Sequence, residues 1–427
     1  MQIGKKMRIL SIETSCDETA ISVIEAIAGD SNASPRFKVL GDALYSQADT
    51  HAAYGGVFPM LAKREHARNI VPLLRSALES AYAVGLERVE DTTQVSEEMA
   101  VKIKEILSKE NALADVLLEA CGSLAKPAID AIAVTSGPGL EPALWVGISF
   151  AKALSVLWDV EVIPVNHMEG HIVSVLLEKG KAGGEAGRDS EAPVAFPALA
   201  LLISGGHTEI VKINNWHEYE VVGRTRDDAI GEAFDKAARI LGLPYPGGPH
   251  ISRLAAMHRE KYKHSDTGAN SAYARPYELP RPMIKSPNLD FSFSGIKTAV
   301  LYLVKSLTDD GTIALTDEQK EAIACEFENA VTEVLIEKVR KAIDETGAET
   351  LIIGGGVVAN TYIRDQFKKL LTDNFPHVTL RVPSIDLSTD NSVMIGMAGY
   401  LRLLYNEKNG LEKTHASEIV AQGNLSL

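Results

Sequence analysis

Apolar runs of strand length alternate along this chain with longer stretches of helical period. Residues 7–12 (MRILSI) predict a buried strand, and 20–26 (AISVIEA) its partner across the polar connection ETSCDET. A Gly/Ser/Pro loop at 29–36 leads to a third strand over 38–47, and apolar positions over 61–82 recur at helical spacing. Residues 86–127 are Glu-rich and helical in period, without Gly or Pro until Gly122, and read as an inserted segment. A strand at 129–135, the glycine turn SGPG (136–139), a helix to about residue 158 and a short strand at 162–165 follow. That strand runs into a helix carrying HMEGH (167–171). The Gly-rich, charged stretch 180–193 is the best linker in the chain.

The second half repeats the plan. Residues 198–204 predict a strand, GGHT its turn, 209–213 the return strand and 219–224 a third strand. Helices follow over about 229–241 and from 251. Residues 261–292 form an irregular segment rich in basic residues, Tyr and Pro, and 316–346 a long helix. A strand at 350–353 then meets the glycine turn GGG (354–356) and another helix; the last strand is 379–382 and the final helix starts near Asn391. Strand–polar turn–strand thus occurs at 7–26 and 198–213, and strand–glycine turn–helix at 129–158 and 350–371. That repeated order predicts a duplicated α/β unit. Its lobes are residues 1–190 and 191–427, with room for the chain end to pack back on the first lobe. Facing lobes would gather two hairpin turns and two glycine turns around one cleft, where backbone N–H groups and helix N-termini attract phosphate.

Charge and cysteine content narrow the function. The chain carries 57 acidic and 43 basic residues, a net charge of -14, which makes it a poor lone binder of nucleic acid. An RNA partner needs a local basic patch or an accessory subunit. The basic stretch 261–285 with Lys297 is the best such patch. Cys16, Cys121 and Cys325 are far apart in sequence, so neither disulfides nor a Cys-rich zinc site is expected. Residues 1–8 are basic but too short for a signal peptide, and no apolar run reaches ~18 residues. A cytoplasmic protein without a membrane span is the expectation.

His167 and His171, at i and i+4, share one helix face and can reach one metal ion. An isolated H-x-x-x-H is more often an ordinary pair, but this one follows a strand, where α/β clefts open. Asp390, in STDN before the last helix, is the best third ligand; it is expected at the equivalent edge of the second half. In the metalloprotease motif a Glu adjoins the first His. Here Glu169 lies two residues on, roughly 200° around a helix of about 3.6 residues per turn, and points away. Gly205 and Gly206, after Ser204, let backbone approach a phosphate or acyl group, and His207 and Thr208 are placed to orient it. Asp235 lies within an amphipathic helix, where a salt bridge to Arg239 is the bland alternative. PGGP (246–249) is a strong turn able to close over a ribose or base, and Asn360 follows the second glycine turn. Glu13, Asp17 and Glu18 fit a water or metal site and a solvated turn equally well. Cys16 has no paired His in view and reads as a packed small side chain.

IETSCDET (12–19), HAAYGGVFPMLAKREH (51–66), SGPGL (136–140), NHMEGH (166–171), LLISGGHTE (201–209), GEAFDKAARILGLPYPGGP (231–249), FSFSGIKT (291–298), GGGVVAN (354–360) and STDN (388–391) together closely resemble the tRNA N6-adenosine threonylcarbamoyltransferase family, once described as glycoproteases. The resemblance implies a two-lobed duplicated α/β fold shared with actin, heat-shock ATPases and sugar kinases, with a central nucleotide cleft. It implies transfer of a threonylcarbamoyl group from threonylcarbamoyl-adenylate to N6 of adenosine 37 in tRNAs reading ANN codons, with release of AMP. It further implies metal ligands at His167, His171 and Asp390 for one divalent ion, Fe2+ or Zn2+. Contacts to threonylcarbamoyl-AMP, ATP or AMP are implied from Leu202, Ile203, Ser204, Gly205, Gly206, Asp235, Gly248 and Asn360. The implied partners are tRNA and, as in bacterial relatives, a smaller paralogous subunit and an ATPase subunit.

The chain departs from the family pattern in a longer 86–127 segment, a partner surface or a solvated appendage, and in Gly354 and Val358 where Ala and Ser are common in bacterial relatives. Two other functions share the fold: a small-molecule kinase or ATPase, which has no need of the two histidines, and an inactive scaffold subunit, against which the full set of motifs argues.

Overall fold

A computed structural model of the chain describes residues 6–28, 35–90, 92–177, 193–262, 276–309 and 314–427. The predicted linker at 180–193 and loop at 29–36 fall almost wholly outside these residues, as does the middle of the basic stretch, 263–275. The chain divides into two compact units, residues 1–194 with 390–427, and residues 195–389.

The first unit opens with β1 (Lys6–Glu13), β2 (Glu18–Ile27) and β3 (Arg36–Ser46), followed by α1 (Ala48–Ala52) and α2 (Pro59–Ala83). Next come β4 (Arg88–Glu90), α3 (Glu97–Ile106), α4 (Asn111–Cys121) and β5 (Lys126–Pro127). Then follow β6 (Ala131–Gly137), α5 (Glu141–Trp158), β7 (Glu161–Asn166) and α6 (His167–Val173). The sheet order is β3-β2-β1-β6-β7. The first three strands are antiparallel neighbours, and β6 and β7 join parallel to β1.

The second unit repeats this arrangement. It consists of β8 (Ala198–Ile203), β9 (Thr208–Asn215), β10 (Glu218–Arg224), α7 (Ile230–Ile240), α8 (Gly247–Tyr262), α9 (Ser294–Leu307), α10 (Asp317–Thr346), β11 (Thr350–Gly354), α11 (Thr361–Asn374) and β12 (Thr379–Arg381). Its sheet runs β10-β9-β8-β11-β12 with the same senses of pairing. The predicted duplication is therefore present strand for strand. Central strands buried on both faces explain the nearly unbroken apolar runs at β6 and β8.

After the second unit the chain returns to the first through α12 (Ser392–Asn409). In β1 and β6, Leu10, Ile12, Ile132 and Val134 join the core formed with α2 and α5. The opposite face takes α12, whose Gly396 and Gly399 lie against Ser11, Ile24 and Ala133. A Cβ at Gly399 would stand 2.7 Å from that of Ala133, so the helix sits closer to the sheet than a larger residue permits. The sequence reading placed Asp390 at an edge of the second half; it belongs instead to the first unit, at the start of this returning segment.

The 86–127 segment is no solvated appendage. Ile103, Leu107, Leu113, Leu117 and Cys121 are buried in the first unit's core, beneath α2 and α5. It is also not wholly helical, since β4 and β5 pair as a short ribbon.

Candidate functional site

In the first unit α6 starts where β7 ends. Asn166 caps it, its Oδ1 accepting the Met168 N–H at 2.8 Å. The two imidazoles one turn apart stand edge to face, centroids 4.7 Å apart. The Nε2 atoms of His167 and His171 lie 3.3 and 3.1 Å from Asp390 Oδ1. One donor atom from each of the three residues falls within 4.8 Å of the others. Asp390 is held there by Asn391, whose Oδ1 accepts the Met394 N–H at the start of α12.

The donors fit a bound cation. His171 is fully buried, its Nε2 turned to Asp390 Oδ1 at 3.1 Å and so placed to ligate beside it, while its Nδ1 finds no hydrogen-bond partner among the described residues. The set of two imidazoles and one carboxylate suits a divalent transition metal and leaves coordination positions open. His167 also has the outer partner that metal-binding histidines carry. Its Nδ1 lies 3.1 Å from Glu13 Oε2, and Glu13 accepts the Thr135 hydroxyl at 2.6 Å and the Ser15 N–H at 2.5 Å. Burial opposes every charge here, but the pairing outweighs it. Asp390 and Glu13 hold His167 well above the usual imidazole range, while His167 draws both carboxyls below theirs. The carboxylates are thus ionised, as a cation requires.

The rest of ETSCDET is not a solvated turn. Burial pushes the Asp17 and Glu18 carboxyls up, and burial with Asp17 and Asp390 nearby pushes the Cys16 thiol up, leaving Cys16 a protonated, packed side chain. His66 pins this loop, its Nε2 donating to Cys16 O at 3.0 Å and its Nδ1 accepting from the Thr19 hydroxyl at 2.7 Å. Glu169 lies on another side of α6, bonded to Arg402 Nη2 at 2.6 Å. The geometry thus gives Glu169 a partner away from the histidine pair, against the peptidase reading.

The second unit holds a cavity of about 380 Å³ lined by Gly205, Phe234, Asp235, Gly248, Gly356 and Asn360, among others. A Cβ at Gly205, Gly248 or Gly356 would meet nothing within 4 Å, so these glycines keep backbone bare toward open space. Gly355 has a separate reason to be glycine: its φ is +95°, and a Cβ would fall 2.4 Å from Ile203 O. Asp235 Oδ1 accepts the Gly247 N–H at 2.7 Å, tying α7 to the PGGP turn. Asn360 is fixed on three sides. Its Nδ2 donates to Ser252 Oγ at 2.8 Å and Glu328 Oε1 at 2.6 Å, and its Oδ1 caps α11.

Of the residues implied for ligand contact, the structure brings Gly205, Asp235, Gly248 and Asn360 to this cavity. Ser204 and Gly206 lie in the adjoining turn, off the wall. Leu202 and Ile203 are fully buried in β8 and stand behind it. Thr208 Oγ1 accepts the Ile230 N–H at the start of α7, which gives that hydroxyl a capping role. Ser252 and Glu328 escaped the sequence reading, and Glu13, which that reading left between a water or metal site and a solvated turn, lies against His167. In the basic stretch, Lys261 pairs with Glu321 at 2.6 Å and Arg281 with Glu333 at 2.8 Å, so these two cations are engaged with α10.

Among the described residues no helix is long and apolar enough to cross a membrane. Comparison with known proteins places the chain. The family model described as TsaD, tRNA N6-adenosine threonylcarbamoyltransferase, matches residues 38–90 and 108–397. The gap between them covers α3, inside the segment read as an insertion. A curated tRNA N6-adenosine threonylcarbamoyltransferase of Methylobacillus flagellatus is 39% identical over 397 residues, which are 93% of this chain and 93% of the relative. Among solved structures, full-length HypF in its phosphate- and nucleotide-bound form matches at TM-score 0.45 and 12% identity over 96% of this chain and 48% of HypF, so the chain spans about half of that protein's length. A ROK family glucokinase from Streptomyces griseus, in complex with glucose and AMPPNP, matches at TM-score 0.35 and 11% identity over 93% of this chain and 99% of the kinase.

Proposed function

From the premise that the chain belongs to the tRNA N6-adenosine threonylcarbamoyltransferase family and is a tRNA-modifying transferase, we propose that it moves the threonylcarbamoyl group of threonylcarbamoyl-adenylate onto N6 of adenosine 37 in tRNAs reading ANN codons and releases AMP. One observation supports this most: His167, His171 and Asp390, the positions that match the family's metal ligands, converge within 4.8 Å in this chain.

His167, His171 and Asp390 would hold one divalent ion, Fe2+ or Zn2+. Such an ion supplies Lewis-acid polarisation of an acyl oxygen. With an ion bound, Glu13 would hold the His167 proton on Nδ1, 3.1 Å from its Oε2, and leave Nε2 to ligate. In the second unit the bare backbone at Gly205, Gly248 and Gly356 suits the phosphate and ribose of an adenylate. Asn360, with both amide hydrogens already given to Ser252 and Glu328, offers only its remaining Oδ1 lone pair and so takes a ligand donor. The acyl donor is a mixed anhydride, already activated. Attack by the exocyclic amine then needs alignment and charge stabilisation more than a covalent enzyme nucleophile. The protonated Cys16 agrees with that. The net charge of -14 favours work with accessory subunits; a smaller paralogue and an ATPase in the cytoplasm are the proposed partners beside tRNA.

The test is a transfer assay with purified protein, synthetic threonylcarbamoyl-adenylate and tRNA, with and without those partners, reading nucleosides by mass spectrometry. Modified adenosine should form and should vanish in the His171→Ala variant. No modified nucleoside under any combination of partners overturns the reading.

A further inference from the structure

The segment after α12 is built into the first unit. Residues 419–426 run across two junctions of the first unit, β6–α5 and β7–α6, and are fastened to both. Lys152 Nζ donates to Ile419 O at 2.8 Å. The Gln422 N–H donates to Ser136 O at 2.8 Å, and the Gly139 N–H to Gly423 O at 3.1 Å. At the second junction Asn166 Nδ2 donates to Ser426 O at 3.1 Å. The fit is close, since a Cβ at Gly137 would lie 2.0 Å from Gln422 O.

Both junctions lead to His167. Ser136 follows Thr135, whose hydroxyl holds Glu13 against His167 Nδ1. Ser136 Oγ donates to Val165 O at 3.2 Å, one residue before Asn166. Asn166 in turn caps α6 with its Oδ1 while giving its Nδ2 hydrogen to the strap. A helix of only seven residues has little internal cooperativity, so the direction of its first side chain follows from whatever fixes its cap. We infer that residues 419–426 act as a positioning strap for the metal-binding histidine, with Asn166 as the link. The strap holds His167 in the orientation that meets Asp390. This inference rests on the reading of His167, His171 and Asp390 as a metal site.

Asn166→Asp separates the two duties of that side chain. Aspartate is as good an N-cap acceptor as asparagine, but it has no hydrogen for Ser426 O and sets a carboxylate oxygen against that carbonyl. Gly137→Ala disturbs the strap at the β6–α5 junction, where its Cβ would meet Gln422 and Leu425, and leaves the Asn166 side chain itself unchanged. Each full-length variant and the parent protein are titrated with Zn2+ against a chromogenic chelator and with Co2+ by its visible absorption. Thermal unfolding and binding of AMP to the second unit serve as controls. The inference expects both variants to lose on the order of 10–100-fold in Zn2+ affinity, as outer-partner changes do, and to alter the Co2+ spectrum, while AMP affinity stays near the parental value in both; unfolding temperature stays near parental in Asn166→Asp and falls in Gly137→Ala, whose Cβ would press on Gln422 O. Parental Zn2+ affinity and an unchanged Co2+ spectrum in both variants overturn it. If the parent protein itself binds neither metal, the metal-site reading falls, and the strap inference with it.

Discussion

Replacing Glu13 by glutamine tests how the metal centre is built. The carboxylate is fully buried and only accepts hydrogen bonds: from Ser15 N–H through one oxygen, and from Thr135 Oγ1 and His167 Nδ1 through the other. Glutamine can keep the first contact with its carbonyl. It then presents NH2 where two donors arrive. The Thr135 hydroxyl can rotate and accept. His167 has no such freedom, and to accept at Nδ1 it must carry its proton on Nε2, 3.3 Å from Asp390 Oδ1. That is the nitrogen needed for the metal. The expected cost is roughly 10–100-fold in metal affinity, or about 1.4–2.8 kcal/mol at a factor of ten per 1.4 kcal/mol. Competition between Glu13→Gln and a chelator for Zn2+ at pH 7 measures it directly, with the thermal unfolding midpoint reporting the fold. A Glu13→Gln protein that folds normally and binds Zn2+ as tightly as the parent refutes the assignment of Glu13 as the group that sets the His167 tautomer.

Three further outcomes follow. Burial lowers the pKa of His66 from 6.5 to about 4; folded His66 stays neutral where the unfolded chain takes up a proton, so its contribution to stability is complete above pH 6.5 and is lost as pH falls toward 4. The loss is up to about 3 kcal/mol at 1.36 kcal/mol per unit; urea midpoints at pH 7 and 4.5 should converge in a His66→Asn variant, and an undiminished gap counts against the buried neutral imidazole. Leu117→Ala, in the 86–127 segment, should cost about 2–5 kcal/mol in denaturant unfolding because the side chain is fully buried; a change under about 0.5 kcal/mol would restore the solvated appendage. Gly355→Ala forces a Cβ to 2.4 Å from Ile203 O at φ +95°, which should lower stability by at least about 1–3 kcal/mol and weaken AMP binding; an unaltered melting curve contradicts the stated backbone.

The duplication was legible because both halves write their strands as unbroken apolar runs and their turns as Gly or polar clusters. The histidine pair was legible for a different reason: i, i+4 spacing dictates a shared helix face whatever surrounds it. The place of Asp390 was harder. Nothing local tells a helix that closes the second half from one that returns to the first, and the clue lies in Gly396 and Gly399, whose need appears only against Ser11 and Ala133. Glu13 sat in a run with Asp17 and Glu18, and a carboxylate aimed at an imidazole has the same sequence signature as one aimed at water. Glu328 was hidden similarly among the glutamates of α10; only the fold brings it to Asn360. In the 86–127 segment the high Glu content drew attention from Ile103, Leu113 and Leu117, the apolar stripe that turns the segment inward.

The return of α12 to the first unit has a consequence for how the protein is made. Residues 195–389 are one continuous stretch, free to fold as they leave the ribosome. The first unit lacks the helix that packs on β1, β2, β6, β7 and α6 until residues 392–409 have been made. Both imidazoles emerge on the order of tens of seconds before the carboxylate that completes their set. A chain stopped before residue 390 therefore carries two of the three donors, so that assembly of the full set waits for the returning segment.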